Sequence, residues 1–280
     1  MVFAMITWGY SWVGAKILGP YGHVSTKIFL RFFFASIALI PILLKYHIPF
    51  RIDKKGFMFI LWNSISLCSY NYFYFKSTHM GLAGVGGVLV TTLNPILTSL
   101  FVFSFLDRSS AKLKEFVGLI MGLTGGGIIM RLWEMDIALM ISSGNIFYIL
   151  ASCSWVSVTI ASQKSKTHIH FLTYSFWSFL SASLFSLSFC EIESISQTIN
   201  YDSIYWLNIF LLSIVVMSFA NTMYFFASSK IGAVKASSFI FVVPLTAIIF
   251  SKIILNEQVL YTTVLGGILS VVAVYLINKK

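Results

Sequence analysis

Few residues in this sequence have the types and spacing that chemistry on a substrate would need. The five histidines, His23, His47, His79, His168 and His170, are nowhere grouped with acids, and neither an HExxH nor an aspartate-rich motif occurs. Cys68, Cys153 and Cys190 are odd in number and lack CxxC spacing, so they read as small packing residues. Hydrolysis or metal-assisted transfer would want paired carboxylates or a ligand cluster. The expectation is no catalytic residue, no metal and no cofactor. What the chain does carry is polar and aromatic side chains at helical spacing inside apolar runs. Ser66, Tyr70 and Ser77 share one face, with Tyr74 adjoining. Ser213, Met217, Asn221, Tyr224 and Ser228 form a second stripe, and Asn145, Tyr148, Ser152, Trp155, Thr159 and Gln163 a third. Such stripes either hold a solute or join helices, each interhelical bond then contributing about 0.6 kcal/mol. The candidate solute contacts are Trp8, Trp12, Tyr70, Thr91, Asn94, Trp155, Asn221 and Tyr224.

The elements that must position these residues follow from composition. Of 280 residues, 58% are hydrophobic and only 10% charged, against about 25% charged in soluble domains. Uncharged runs such as Ile209–Ser229 and Val259–Asn278 match the roughly 30 Å hydrocarbon core of a bilayer. A soluble enzyme, a secreted disulfide scaffold and a disordered chain are excluded. The apolar runs predict an all-α membrane protein of ten transmembrane helices, near 1–18, 24–45, 57–76, 82–105, 114–131, 143–162, 170–190, 205–228, 233–251 and 259–277. The first run lacks a basic leader segment and reads as a retained span, short enough to leave room for a start upstream of Met1.

Basic residues set the orientation. With ten spans, Lys45, Arg51, Lys54, Lys55, Arg108, Lys112, Lys114, Lys164, Lys166, Lys230, Lys235, Lys279 and Lys280 fall on the side of both termini, 13 in all. Lys16, Lys27, Lys76, Arg131 and Lys252, five in all, fall opposite, and Arg31 lies inside the second run. The split predicts cytoplasmic termini in the cell membrane. It also accounts for the net charge of +10 without any nucleic-acid partner. Lys16 and Lys76 lie near helix ends and are expected to snorkel.

The sequence also repeats itself. Phe75-Lys-Ser-Thr-His-Met-Gly81 corresponds to Phe226-Ala-Ser-Ser-Lys-Ile-Gly232 at an offset of 151. Asn94-Pro95 falls on Val243-Pro244 at 149, and Trp8 on Trp155 at 147. Two five-helix units result, 1–131 and 143–277. An odd number of spans per unit makes the second copy enter from the other face, so the repeats are inverted. That is the architecture of many secondary transporters, where matched helix interruptions point to the site. Pro95 and Pro244 are the matched pair, each expected to break or bend its helix.

These features resemble the drug/metabolite transporter superfamily, EamA family, over essentially the full length. Trp8-Gly-Tyr-Ser-Trp-Val looks like its opening signature. Arg31 before Phe32-Phe33-Phe34-Ala35 looks like its second-helix arginine, and the order Pro244, Leu255-Asn-Glu257, Gly266-Gly267 like its second-half signature. The resemblance implies ten helices, an inverted duplication and movement of small metabolites such as amino acids. One departure is Asp107-Arg108, where the first repeat usually carries a glutamate, leaving Glu257 as the acid of that signature.

The leading reading is a secondary transporter of an amino-acid-like, amphipathic solute working by alternating access. A lipid-headgroup or nucleotide-sugar translocator is the alternative, and would need several cavity cations where Arg31 and Lys16 alone are available. An integral-membrane enzyme is the distant alternative. Arg31 itself could face a substrate anion, pair with an acid or snorkel. Partners are then the solute and the bilayer. The glycine faces Ala83/Gly87/Thr91/Pro95 and Gly118/Gly122/Gly126 serve close packing within the chain or a homodimer.

Overall fold

The computed structural model describes residues 1–106, 113–134 and 142–278, and no strand occurs among them. Helices lie where the apolar runs predicted them: α1 Val2–Ile17, α2 Val24–Lys45, α3 Lys54–Met80, α4 Ala83–Phe101, α5 Leu113–Met130, α6 Asn145–Ser165 and α7 Phe171–Leu187. α8 runs Ser203–Ile231 and contains a π-helical stretch, Leu211–Asn221. The next run is realised as two helices, α9 Ala233–Ser238 and α10 Val243–Leu255, joined by a 3₁₀ segment Phe239–Val242. α11 Tyr261–Asn278 ends the fold.

Local sequence sets several of these ends. The Asp53 carboxylate accepts from Gly56 N–H at 2.6 Å and starts α3, and Asp202 does the same for α8 through Tyr205 N–H at 2.9 Å. Between α8 and α9 the chain turns at Gly232 with φ of 88°, a conformation that favours glycine.

Among the described residues four helices are long and apolar enough to cross a membrane, α2, α4, α6 and α8. A fifth span is reached if α7 and the bent segment Ile192–Asn200 count as one. The other runs fall short for physical reasons. α1 and α10 have only 16 and 13 residues. α3 is about 40 Å long but polar, and it turns Asn63, Ser64, Ser66, Asn71, Ser77 and Thr78 inward, where they are buried.

The packing pairs helices of the first half with helices of the second. α2 lies on α7 and α5 on α11; α3 packs on α6 as α1 packs on α8; α3 meets α7 as α2 meets α8; and α1 meets α10 as α4 meets α6. Glycines permit these approaches within the chain. Gly122 of α5 sits against Ile96 and Ala273, and Gly266 of α11 against Gly125 and Ile129. Gly87 of α4 sits against Ala247 and Trp12.

Candidate functional site

Where the two halves meet, α1, α2, α3, α4, α6 and α8 enclose a cavity. Its walls include Trp8, Trp12, Arg31, Tyr70, Thr91, Asn94, Trp155 and Asn221. The free space is about 20 Å³, room for about one water molecule. Trp8 and Trp155, matched by the repeat, touch edge to face with ring centroids 5.0 Å apart at 89°. Tyr70 closes on Trp155 at 4.7 Å and stacks on Tyr74 at 5.7 Å, and Trp12 meets Tyr74 at 4.7 Å. The result is an aromatic cage built from both halves.

Polar groups pin this cage. Trp8 Nε1 donates to Asn221 Oδ1 at 2.9 Å, and the Asn221 amide reaches Met217 Sδ at 3.0 Å. Tyr74 donates its hydroxyl proton to Ser11 O, and Thr91 to Gly87 O. Three buried polar atoms of the lining residues form no hydrogen bond: Arg31 Nε, Asn94 Oδ1 and Trp155 Nε1, the last beside the Tyr224 ring. Each such atom costs about 1–3 kcal/mol until something satisfies it. Unpaired polar atoms occur elsewhere too, Asn63 among them; what distinguishes these three is their convergence on one cavity.

Arg31 neither pairs with an acid among the described residues nor snorkels, since it is only 2% exposed. Its Nη1 donates to Asn71 Oδ1 at 2.8 Å, and the guanidinium lies over Tyr74 and Phe75 at 5.3 and 5.1 Å. Its fixed charge therefore stands against one wall of the cavity without a counter-ion.

The remaining expected contacts divide. Tyr224 is not in the cavity wall; it backs the tryptophans, with centroids 5.1 Å from Trp8, and binds Thr159 Oγ1 at 3.0 Å. Neither proline lines the cavity. Pro244 opens α10 directly after the 3₁₀ segment, so the chain is interrupted there. Pro95 lies inside α4, which continues unbroken to Phe101, so the expected matched interruption is absent on that side. One missing N–H removes a single bond, that to Thr91 O, and the buried packing of α4 keeps the helix whole. Ser11, Tyr74, Val216 and Met217 also line the cavity. Of these, Tyr74 and Met217 sat on polar stripes in the sequence, whereas Val216 carried no signal.

The two turns at the ends of this core differ. At Gly81, Glu257 of the second half accepts from Ala83 N–H and Gly84 N–H, both at 2.9 Å, and caps α4. Lys16 does not snorkel outward but donates to Gly81 O at 2.6 Å, and Tyr148 donates to Leu82 O at 2.9 Å. At Gly232 the residue that the repeat matches to Lys16 is Gln163, which stands beside that glycine. Tyr148 and Gln163 are 15 positions apart on α6, about 22 Å, with Trp155 midway.

A closed polar cage between two halves of an all-helical membrane protein is the build of a transporter. Comparison with known proteins agrees. The EamA-like transporter family matches residues 1–131 and again 142–279, and the chain belongs to that family. Curated relatives bear the name uncharacterized transporter. YoaV of Bacillus subtilis (strain 168) is 23% identical over 276 residues, 96% of this chain and 92% of the relative. YvbV of the same organism is 23% identical over 285 residues, 100% of this chain and 90% of the relative. One solved crystal structure superposes with a TM-score of 0.69 at 17% identity, over 98% of this chain and 94% of its own, which speaks to the fold alone.

Proposed function

We propose that this membrane transporter is a secondary carrier of a small amphipathic, amino-acid-like solute in the cell membrane, with both termini cytoplasmic and ten spans in two inverted five-helix units. The exchange-symmetric helix pairing and the contact of Trp8 with Trp155 support the inverted arrangement. The single observation that carries the solute reading is the cavity in which Arg31 Nε, Trp155 Nε1 and Asn94 Oδ1 stand unpaired among aromatic rings. Two donors and one acceptor fit a solute with a carboxylate at one end and an ammonium or amide at the other. A cavity with room for one water is a closed state, so transport by alternating access requires the Gly81 and Gly232 ends to open in turn. A translocator of nucleotide sugars or lipid headgroups is less well matched, because Arg31 is the sole cation in the cavity wall among the described residues.

The test is flux of labelled amino acids into proteoliposomes. Saturable uptake that Trp155→Ala removes is expected, and Arg31→Ala should impair carboxylate-bearing solutes more than their neutral amides. Absence of flux for every amino acid and amphipathic metabolite tried would overturn the reading.

A further inference from the structure

A second cavity lies outside the central cage, between the end of α6, the start of α7 and the end of α8, with a volume of about 400 Å³. Its residues divide sharply by type. Lys166 and Lys230 stand at its mouth with His170, and among the described residues no Asp or Glu belongs to its wall. The N-terminus of the 17-residue helix α7 opens at the same place, with His170 Nδ1 accepting from Leu172 N–H, and adds its positive dipole end.

One turn into α7, Tyr174 forms part of the wall. It is 1% exposed, and its hydroxyl lies beside Ser165, whose own proton goes to Ser162 O at 2.9 Å. The rest of the wall is apolar: Phe171 meets Phe226 at 4.7 Å, and Tyr174 meets Phe225 at 5.6 Å. Cations at the rim, hydroxyls of Ser162, Ser165, Thr167, Tyr174 and Ser229 in the wall and an apolar flank are what a phosphate carried on an acyl chain would need. The 13-to-5 distribution of basic residues puts this end in the cytoplasm. Basic pockets between helices on that side are where anionic lipid headgroups bind.

We propose that this cavity is a phosphate site, taking the phosphodiester of an anionic lipid, with free phosphate as the other source of the same group. The site is separate from the solute cage, so binding can be read without flux. The experiment uses the full chain in nanodiscs of phosphatidylcholine, with and without phosphatidylglycerol, and separately with inorganic phosphate added to the phosphatidylcholine discs. Retained lipid is measured by native mass spectrometry and stability by thermal melting.

Preferential retention of phosphatidylglycerol with a higher melting midpoint is expected. The double variant Lys166→Gln/Lys230→Gln should bind it about thirtyfold more weakly. Tyr174→Phe, which removes only the hydroxyl, should lose a smaller factor. Lys54→Gln/Lys55→Gln, exposed on another helix at the same end, should leave retention unchanged. Stabilisation by inorganic phosphate that the Lys166/Lys230 variant abolishes would support the same site with a free-phosphate source. Equal retention of both lipids without any phosphate effect, or full retention by the Lys166/Lys230 variant, would overturn the proposal.

Discussion

The turn at Gly81 and the turn at Gly232 hold matched places in the repeat, yet they are fastened by different forces. At Gly81 a carboxylate from the other half caps α4 through two backbone N–H groups, and Lys16 and Tyr148 hold the carbonyl side. At Gly232 the matched residue for Lys16 is the uncharged Gln163, and the residue matched to Glu257 is Arg108, which lies outside the described residues. A guanidinium has no acceptor to offer an N–H group, so a cap of the Glu257 kind is chemically unavailable from Arg108. Among the described residues, one end is thus closed by a carboxylate cap and the other shows no cap of that kind. Under the alternating access and cytoplasmic termini proposed above, this asymmetry would bias the resting state toward a sealed Gly81 end, the outer end in that orientation.

The strongest test of that difference is Glu257→Ala. Losing two charge-assisted hydrogen bonds, each contributing about 1.5–3 kcal/mol, should shift the closed-to-open balance by about a hundred- to ten-thousandfold. Labelling of a cysteine placed at Ser11 in the cavity wall, by a membrane-impermeant maleimide from outside, reads this directly. A labelling rate equal to that of the parent would mean the cap does not hold the end shut.

Glycine substitutions sharpen the same comparison at the level of packing. A Cβ at Gly86 would press into the Tyr148 ring, a rigid neighbour, whereas one at Gly232 finds only Gln163 Nε2 at 3.8 Å but must adopt φ of 88°. Gly86→Ala should therefore cost about 1–3 kcal/mol by overpacking, relieved when Tyr148 is also cut to Ala. Gly232→Ala should cost about 1 kcal/mol of backbone strain that no change at Gln163 relieves. Thermal melting of the four proteins separates the two, and relief at the wrong end would contradict the packing described.

Much of this was legible in the sequence, and the limits are instructive. The α2 boundaries 24–45 follow from charge at Lys45 and a clean apolar run, and the repeat brought Trp8 to Trp155, which touch. The cap was not legible: Glu257 stands 174 positions from Ala83, and a backbone N–H at a helix start carries no side-chain signature. Val216 was missed because the stripe in α8 was read with α-helical spacing. The π-helical stretch Leu211–Asn221 widens the turn and brings an apolar neighbour of Met217 round to the cavity. Pro95 misled in the opposite sense, since a residue that breaks helices in water is tolerated where buried packing holds the rod.

Lys16→Gln tests the next smaller contribution. Its ammonium donates to Gly81 O, and glutamine, the residue matched to it at the other end, keeps a donor while removing the charge. Expected is a loss of about 1 kcal/mol, with Ser11→Cys labelling rising less than for Glu257→Ala.

The smallest expected effect is also the most discriminating. Tyr148→Phe removes one hydroxyl donating to Leu82 O at 2.9 Å and leaves the ring that Gly86 packs against. An isolated interhelical bond of this kind contributes about 0.6 kcal/mol, so labelling alone should rise less than threefold. The informative quantity is the coupling with Glu257→Gln in a double-mutant cycle. Tyr148 fastens Leu82 and Glu257 fastens Ala83 and Gly84, adjacent positions of one turn. If the end opens as a unit, the second loss should add little once the first has freed the turn, giving a coupling energy near the single Tyr148 effect. Strict additivity would instead mean that the two fastenings open separately, and the sealed end would be a set of independent contacts rather than one latch.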